Sequence, residues 1–190
     1  MKKLLTAVAT SLVILSTPTL ADNYQIDTEH TFVQFRVKHL GYSWLNGRFN
    51  DFSGNFSYDE AKLGSNSVSI EIKAASVDTH HAERDKHIRS GDFLNTDKHP
   101  TVKFVSTSYQ AGNNETATVT GNLTFNGVTK PVTLDVVHVG GGEDPWGGFR
   151  QGFQGTATLK PAEFGMDLAE NLGAAAAEVE LTLSIEGIRE

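Results

Sequence analysis

Along most of the chain, apolar and polar side chains alternate one by one. Val33, Phe35 and Val37 alternate with Gln34, Arg36 and Lys38. Val68, Ile70, Ile72 and Ala74 alternate with Ser69, Glu71 and Lys73. Ala117, Val119, Gly121, Leu123 and Phe125 share one face of a third run. In a fourth, Phe149, Phe153, Ala157 and Leu159 share a face with Gln151 and Gly155. Val179, Leu181, Leu183 and Ile185 form the clearest run of all. A period of two places each apolar set on one side of a β-strand. Weaker strands fit around 52–58, 102–109 and 132–139. Asn126-Gly127 separates two runs and favours the positive φ values of a type I′ turn, so residues about 117–139 read as a hairpin. A slip of one residue would turn Leu123 and Phe125 outward, so the pattern also sets the register.

Only about residues 80–90 read as helix, with Asp78 or Thr79 as the candidate cap. Glu83–His87 and Asp85–Arg89 are favourable i,i+4 pairs there. Its apolar content is Ala82 and Ile88, too little to cover a sheet. The sheet must therefore cover itself, as a sandwich or a closed barrel. Closure also removes exposed edges. The fold expected is all-β, a sandwich or an antiparallel eight-stranded barrel, with one short polar helix. Such a barrel is either filled by side chains or holds one small ligand. Gly54, Gly121 and Gly155 fall on inward positions and mark either bends of a coiled sheet or space for a cavity. Phe32, Phe35, Tyr42, Trp44, Phe49, Phe52 and Phe56 crowd one N-terminal quarter. Core packing is the default explanation for them, but the density exceeds what a small barrel core needs and would suit a long apolar cavity. The stretch Gly140 to Gly148 reads as a loop at the rim of an opening.

The first residues stand apart. Met1-Lys2-Lys3 is a basic head, Leu4 to Leu15 a short apolar run, and Thr19 and Ala21 are small residues at peptidase-reading positions. This is the pattern of a secretory signal peptide, 1–21, cleaved to leave one domain, 22–190. The expected location is the periplasm. The chain has no cysteine, which excludes disulfides, thiol nucleophiles, Cys-based zinc sites and a lipid anchor on cysteine. A net charge of −7 argues against nucleic acid as a partner. There is no Gly-x-Ser-x-Gly elbow, and the three glycines at 140–142 are not followed by Gly-Lys-Ser/Thr. His80, His81, Glu83, His87 and His99 have poor metal-chelating spacing, and Arg84, Lys86 and Arg89 repel a cation. No metal and no catalytic residue is assigned.

His80 to Leu94 (HHAERDKHIRSGDFL), Leu123 to Val132 (LTFNGVTKPV) and Asp144 to Phe153 (DPWGGFRQGF) together resemble the YceI-like family of bacterial polyisoprenoid-binding proteins. His39-Leu40-Gly41-Tyr42-Ser43-Trp44 fits as well. The family usually has Asp before Phe-Gly near the penultimate strand, where this chain has Glu163-Phe164-Gly165. The resemblance implies an extended lipocalin-like barrel whose apolar tunnel takes a polyprenyl chain, with no catalysis and no required cofactor beyond that bound lipid. It implies transient contact with a membrane or a membrane electron-transfer protein, and leaves the oligomeric state open, a homodimer included.

Strand parity selects the residues expected to line such a tunnel: Val33, Phe35 and Val37; Trp44, Phe49 and Phe52; Ile70 and Ile72; Phe104; Val119 and Leu123; Leu134; Phe153; Leu181 and Leu183. His81, Arg84, Asp85 and Asp92 are the polar candidates for its mouth. Two other functions stay open at this point: a filled-core barrel acting through protein contacts, as in a stress-related periplasmic factor, and a His-dependent metalloenzyme.

Overall fold

The structure is a computed structural model that describes residues 21–190. The signal segment therefore lies outside the described residues, apart from Ala21. The elements are β1 (Asp22–Ile26), β2 (Phe32–His39), β3 (Ser43–Phe49), β4 (Phe52–Tyr58), β5 (Ser67–Lys73), β6 (Val77–Asp78), α1 (Ala82–Arg89), β7 (Thr101–Ala111), β8 (Thr116–Phe125), β9 (Val128–Glu143), β10 (Phe149–Leu159), α2 (Leu168–Leu172) and β11 (Val179–Arg189).

All strands belong to one antiparallel sheet, ordered β1-β4-β5-β7-β8-β9-β10-β11-β2-β3-β6, and β1 pairs with β11 to close it. Three pairs of short strands act as single long arms. β1 and β2 both run along β11, with Ile26 opposite Gly187 and Phe32 opposite Ser184. β4 and β3 run in turn along β1 and β2, and β5 and β6 along β4 and β3. The result is an eight-armed closed barrel in which neighbours in sequence are neighbours in space. Thr31 bridges the first break: its Oγ1 accepts from Glu186 N at 3.0 Å, and Asp27 N donates to Glu186 O at 2.8 Å. These contacts replace ladder bonds where the chain bulges, so few backbone groups are left unpaired.

The hairpin read from Asn126-Gly127 is present, with φ of 49° and 74° at the two residues, and it pairs Leu123 with Lys130 in the expected face-in register. The helix is shorter than expected. It starts at Ala82, and its cap is His81, whose Nδ1 accepts from Arg84 N at 3.2 Å, rather than Asp78 or Thr79. His80 turns the chain into it at φ +66°.

The glycine alternatives divide. A Cβ on Gly121 would lie 2.4 Å from the Phe104 ring, and one on Gly54 would lie 2.3 Å from Ser69 O. Both mark close approach of neighbouring strands. Gly155 alone of the three borders open space, facing Leu183. The loop at the β9–β10 connection also departs from expectation. It lies at the barrel end opposite α1, tied by Asp144, whose Oδ1 accepts from Trp146 N and Gly148 N at 2.9 and 2.8 Å. It is no rim of the opening described below.

Candidate functional site

The barrel is not filled. Its axis holds a cavity of about 1020 Å³, at the upper end of the range for small-molecule pockets. Val33, Phe35, Val37, Trp44 and Phe49 line it from β2 and β3, and Ile70, Ile72 and Phe104 from β5 and β7. Val119, Leu123 and Leu134 continue the wall on β8 and β9, and Phe153, Leu181 and Leu183 complete it on β10 and β11. Alternation places them there: each strand contributes every second residue to one continuous apolar surface. Parity also reaches Leu45, Val68, Val179 and Ile185, which line the same space. Met166, Leu168 and Leu172 line it from the segment before β11, which carries no alternation to reveal them.

Phe52 is a correction. It shares the inward parity of β4 but is 7% exposed, packed in a cluster with Tyr24, Ile26, Val33 and Phe56 that also takes in its strand partner Ile72. Neighbouring side chains cover it, and the cavity does not reach it.

The cavity opens between α1, the β2–β3 hairpin and α2. Its lining there is exposed and polar: His39, Ser43, Trp44, Asn46, Asp92 and Asn171. Arg84 lines it too, but its guanidinium is held by Thr79, with Nε to Oγ1 at 2.7 Å and Nη2 to the carbonyl O at 2.6 Å. His81 and Asp85 are corrections. His81 is exposed and spent on capping the helix. Asp85 is buried behind the mouth, where its Oδ1 accepts from Thr79 N at 2.9 Å and Thr79 Oγ1 at 2.5 Å. Arg84, Thr79 and Asp85 thus pin the helix start to the end of β6. His87, missing from the expected mouth, lines it and pairs with Asp92 at 3.3 Å, its ring edge-on to Phe93.

The opposite end is plugged. Tyr24 stacks on Phe56 with centroids 4.9 Å apart, and Phe153 packs against Phe56, Tyr58 and His138. Buried Gln151 satisfies His138 at 2.7 Å, so the inward polar position of β10 is paired. Burial pushes the Tyr58 phenol up to about 12, helped by nearby Tyr109, Glu60 and Glu115. Burial raises Tyr109 as well, with the Asn66 amide acting against it.

Beneath the plug, Arg150 binds Asp27 at 2.6 Å, Glu186 at 2.5 Å and Asp144 at 2.9 Å. Burial works to raise the Asp27 carboxyl, but hydrogen bonds from His30 and Arg150 prevail and hold it at about 2. Asp27, His30 and Glu186 are close enough to share an ion, yet the Arg150 guanidinium already sits on both carboxylates. Among the described residues this grouping does not involve the His-rich helix. No helix among them is long and apolar enough to cross a membrane.

Comparison with known proteins agrees with this architecture. The sequence profile of the YceI-like domain matches residues 24–187. The chain belongs to the YceI-like family. A UPF0312 protein of Pseudomonas aeruginosa is 54% identical over 193 residues, covering 100% of both chains. One of Pectobacterium atrosepticum is 48% identical over 100% of this chain and 98% of its own. Among solved structures, the YceI protein of Campylobacter jejuni has a TM-score of 0.72 at 29% identity, covering 81% of this chain and 90% of its own. Burkholderia cenocepacia BcnA shares the fold at a TM-score of 0.77 and 24% identity, covering 85% and 98%. A polyisoprenoid binding domain from Saccharophagus degradans shares it at 0.66 and 17%, covering 88% and 98%. The segments that carry the YceI-like resemblance have distinct places in this barrel. His80–Leu94 forms α1 and part of the mouth, Leu123–Val132 the β8–β9 hairpin, and Asp144–Phe153 the loop and strand at the plugged end.

Proposed function

We propose that this protein is an exported, non-catalytic binding protein that holds a polyisoprenoid lipid in its barrel for carriage or storage. The observation that carries this reading is the apolar cavity, walled by alternate residues of every long arm and lined by exposed polar side chains between α1, the β2–β3 hairpin and α2. Each buried CH₂ of a prenyl chain is worth about 0.8 kcal/mol against water, so the free lipid is strongly unfavourable in an aqueous compartment. A bilayer shelters the chain equally well, so transfer between the two is close to neutral apart from ordering costs. Such a protein is a reversible carrier rather than a tight sink. The Saccharophagus domain of like fold, described as polyisoprenoid binding, supports the choice of ligand class.

Exchange with a membrane is supported by the hairpin at the mouth. Leu40 and Tyr42 are exposed at its tip, Tyr42 by 86%. Trp44 lies beside them, with Arg36 Cζ 4.2 Å and Lys38 Nζ 5.4 Å from its ring. Aromatic rings with cationic neighbours suit the bilayer interface. A periplasmic location rests on the signal pattern of residues 1–21. Native mass spectrometry of protein taken from its own periplasm, with extraction and fragmentation of any adduct, tests the reading. A stoichiometric prenyl adduct is expected. A bare protein mass that persists after incubation with a prenyl quinone and a polyprenyl phosphate would overturn it.

A further inference from the structure

One side of the mouth is fastened differently from the rest. Between Phe164 and Ala176 the chain leaves the sheet and runs beside the opening as a strap, with α2 at its centre. Both ends of the strap are fixed. Phe164 is buried, packs edge-on to Phe125 and has its carbonyl bonded by Asn126 Nδ2 at 3.0 Å. Ala176 is fully buried. Between them Met166, Leu168 and Leu172 turn into the cavity, while Asp167 and Glu170 are exposed. Gly165 and Gly173 bracket this middle part at φ +77° and +85°, where a side chain would be strained. The strap meets the tip of the β2–β3 hairpin by contact alone. A Cβ on Gly41 would lie 3.8 Å from Ala175 Cβ, and one on Gly173 would lie 3.8 Å from Leu40 Cδ2. Among the described residues no backbone hydrogen bond crosses this seam. The tip is itself unusual. Leu40 and Gly41 have φ of +51° and +79°, the pattern of a turn that favours Asn-Gly. A leucine in that place is strained, and its side chain is divided between the strap and solvent.

We infer that the strap is a gate: its seam with the hairpin tip stays shut in water and parts at a bilayer, admitting or releasing the lipid. The inference rests on the lipid-carrier reading and adds how entry is controlled. Parting the seam turns Met166, Leu168 and Leu172 toward the surroundings. In water that exposure is unfavourable and holds the seam shut. Against lipid tails it costs little, and Leu40 exchanges its contact with the strap for contact with the bilayer. Water and bilayer thus favour different states, and a two-state element is switched only by such a difference. The barrel then crosses an aqueous compartment closed and opens where its lipid is taken up or delivered.

The chain has no cysteine, so one introduced pair can lock the seam. The 3.8 Å between the two Cβ positions matches the spacing across a disulfide, and Gly41→Cys with Ala175→Cys is the variant to make. Uptake of a prenyl quinone from phosphatidylcholine vesicles is followed by native mass spectrometry of the full protein, oxidised and then reduced, so that any strain at Gly41 is common to both forms. Oxidation is expected to slow uptake about tenfold or more, as a closed lid does, and reduction to restore it. Oxidation after loading should slow release as well, which a merely damaged mouth would not do. If the pair does not fold, Asp167→Ala decides. Asp167 Oδ1 caps α2 by accepting from Ala169 N at 2.9 Å and Glu170 N at 3.3 Å, so its loss should loosen the strap and speed uptake several-fold. Equal uptake by oxidised and reduced protein, or an unchanged rate in Asp167→Ala, overturns the gate and leaves the carrier intact. No uptake by the wild type from vesicles or from detergent overturns both.

Discussion

The tip of the Phe35 ring sits against Gly47, its partner across β2 and β3, so that a Cβ on Gly47 would come within 2.3 Å of the ring. The wall of the cavity is built from such pairs: Phe104 covers Gly121 and Phe56 covers Gly187 in the same way. A large ring over a bare backbone keeps the sheet closed and leaves the axis free. Gly47→Ala should force Phe35 from its place at a cost of about 1–3 kcal/mol, as overpacking does. Urea unfolding of the variant measures it, and an unchanged midpoint would show that the ring is not held there.

Leu123 and Phe35 face the same space from opposite sides of the barrel. Leu123→Asp or Phe35→Asp places a charge on the apolar wall, so lipid retention should vanish in protein that still folds. Co-purified lipid, counted by mass spectrometry after circular dichroism has confirmed strand content, decides it. Retention at wild-type level removes the residue from the wall.

Arg150 joins β10 to the β1–β2 break, to Glu186 and to Asp144. Hydrogen bonds and charge from this cluster depress Asp27 to about 2, and hydrogen bonds from Gly148 N and Arg150 lower Asp144. A depressed carboxyl stabilises the fold above its unfolded value of 3.8, and that contribution disappears as pH falls through the folded value. Arg150→Met should therefore lower Tm at neutral pH, with the deficit shrinking between pH 4 and 2. A deficit at pH 2 as large as at pH 5 would assign Arg150 a packing role instead.

His30 works with the opposite sign. Its bond to Asp27 raises the imidazole above 6.5, so its contribution is complete below that value and fades as pH rises through the folded one. His30→Ala should lower Tm at pH 5.5 and leave it unchanged at pH 9. Equal losses at both pH values would contradict this.

The hairpin tip makes a kinetic prediction. Replacing Leu40 and Tyr42 together by Ser should slow lipid uptake from vesicles several-fold, while Tm and affinity for lipid delivered from detergent stay as in the wild type. Uptake at the wild-type rate would move the membrane contact elsewhere.

Alternation alone determined that the sheet of this chain covers itself, as a sandwich or a barrel, because nearly every strand carries one apolar face and the helix near residue 85 has none to cover it; the pairing of β1 with β11 decided for the barrel. The same parity identified most of the cavity wall, since side chains of a strand have only two directions to point. The tertiary structure decided what parity cannot carry. Phe52 and Phe56 share a face of β4, yet only Phe56 reaches the cavity, because the break after Phe49 packs Phe52 among Ile26 and Val33. Asp85 and Arg84 are adjacent on a polar helix, and the position of Thr79 alone sends one behind the mouth and leaves the other on it. Asn66 carries no signal in the sequence at all. Its place on the cavity becomes visible only when Asp59 N has bonded its amide oxygen and the barrel has closed around it. Strand direction is a local property that a sequence can encode residue by residue. Which inward side chains touch each other and which face empty space depends on how arms distant in sequence meet across the barrel.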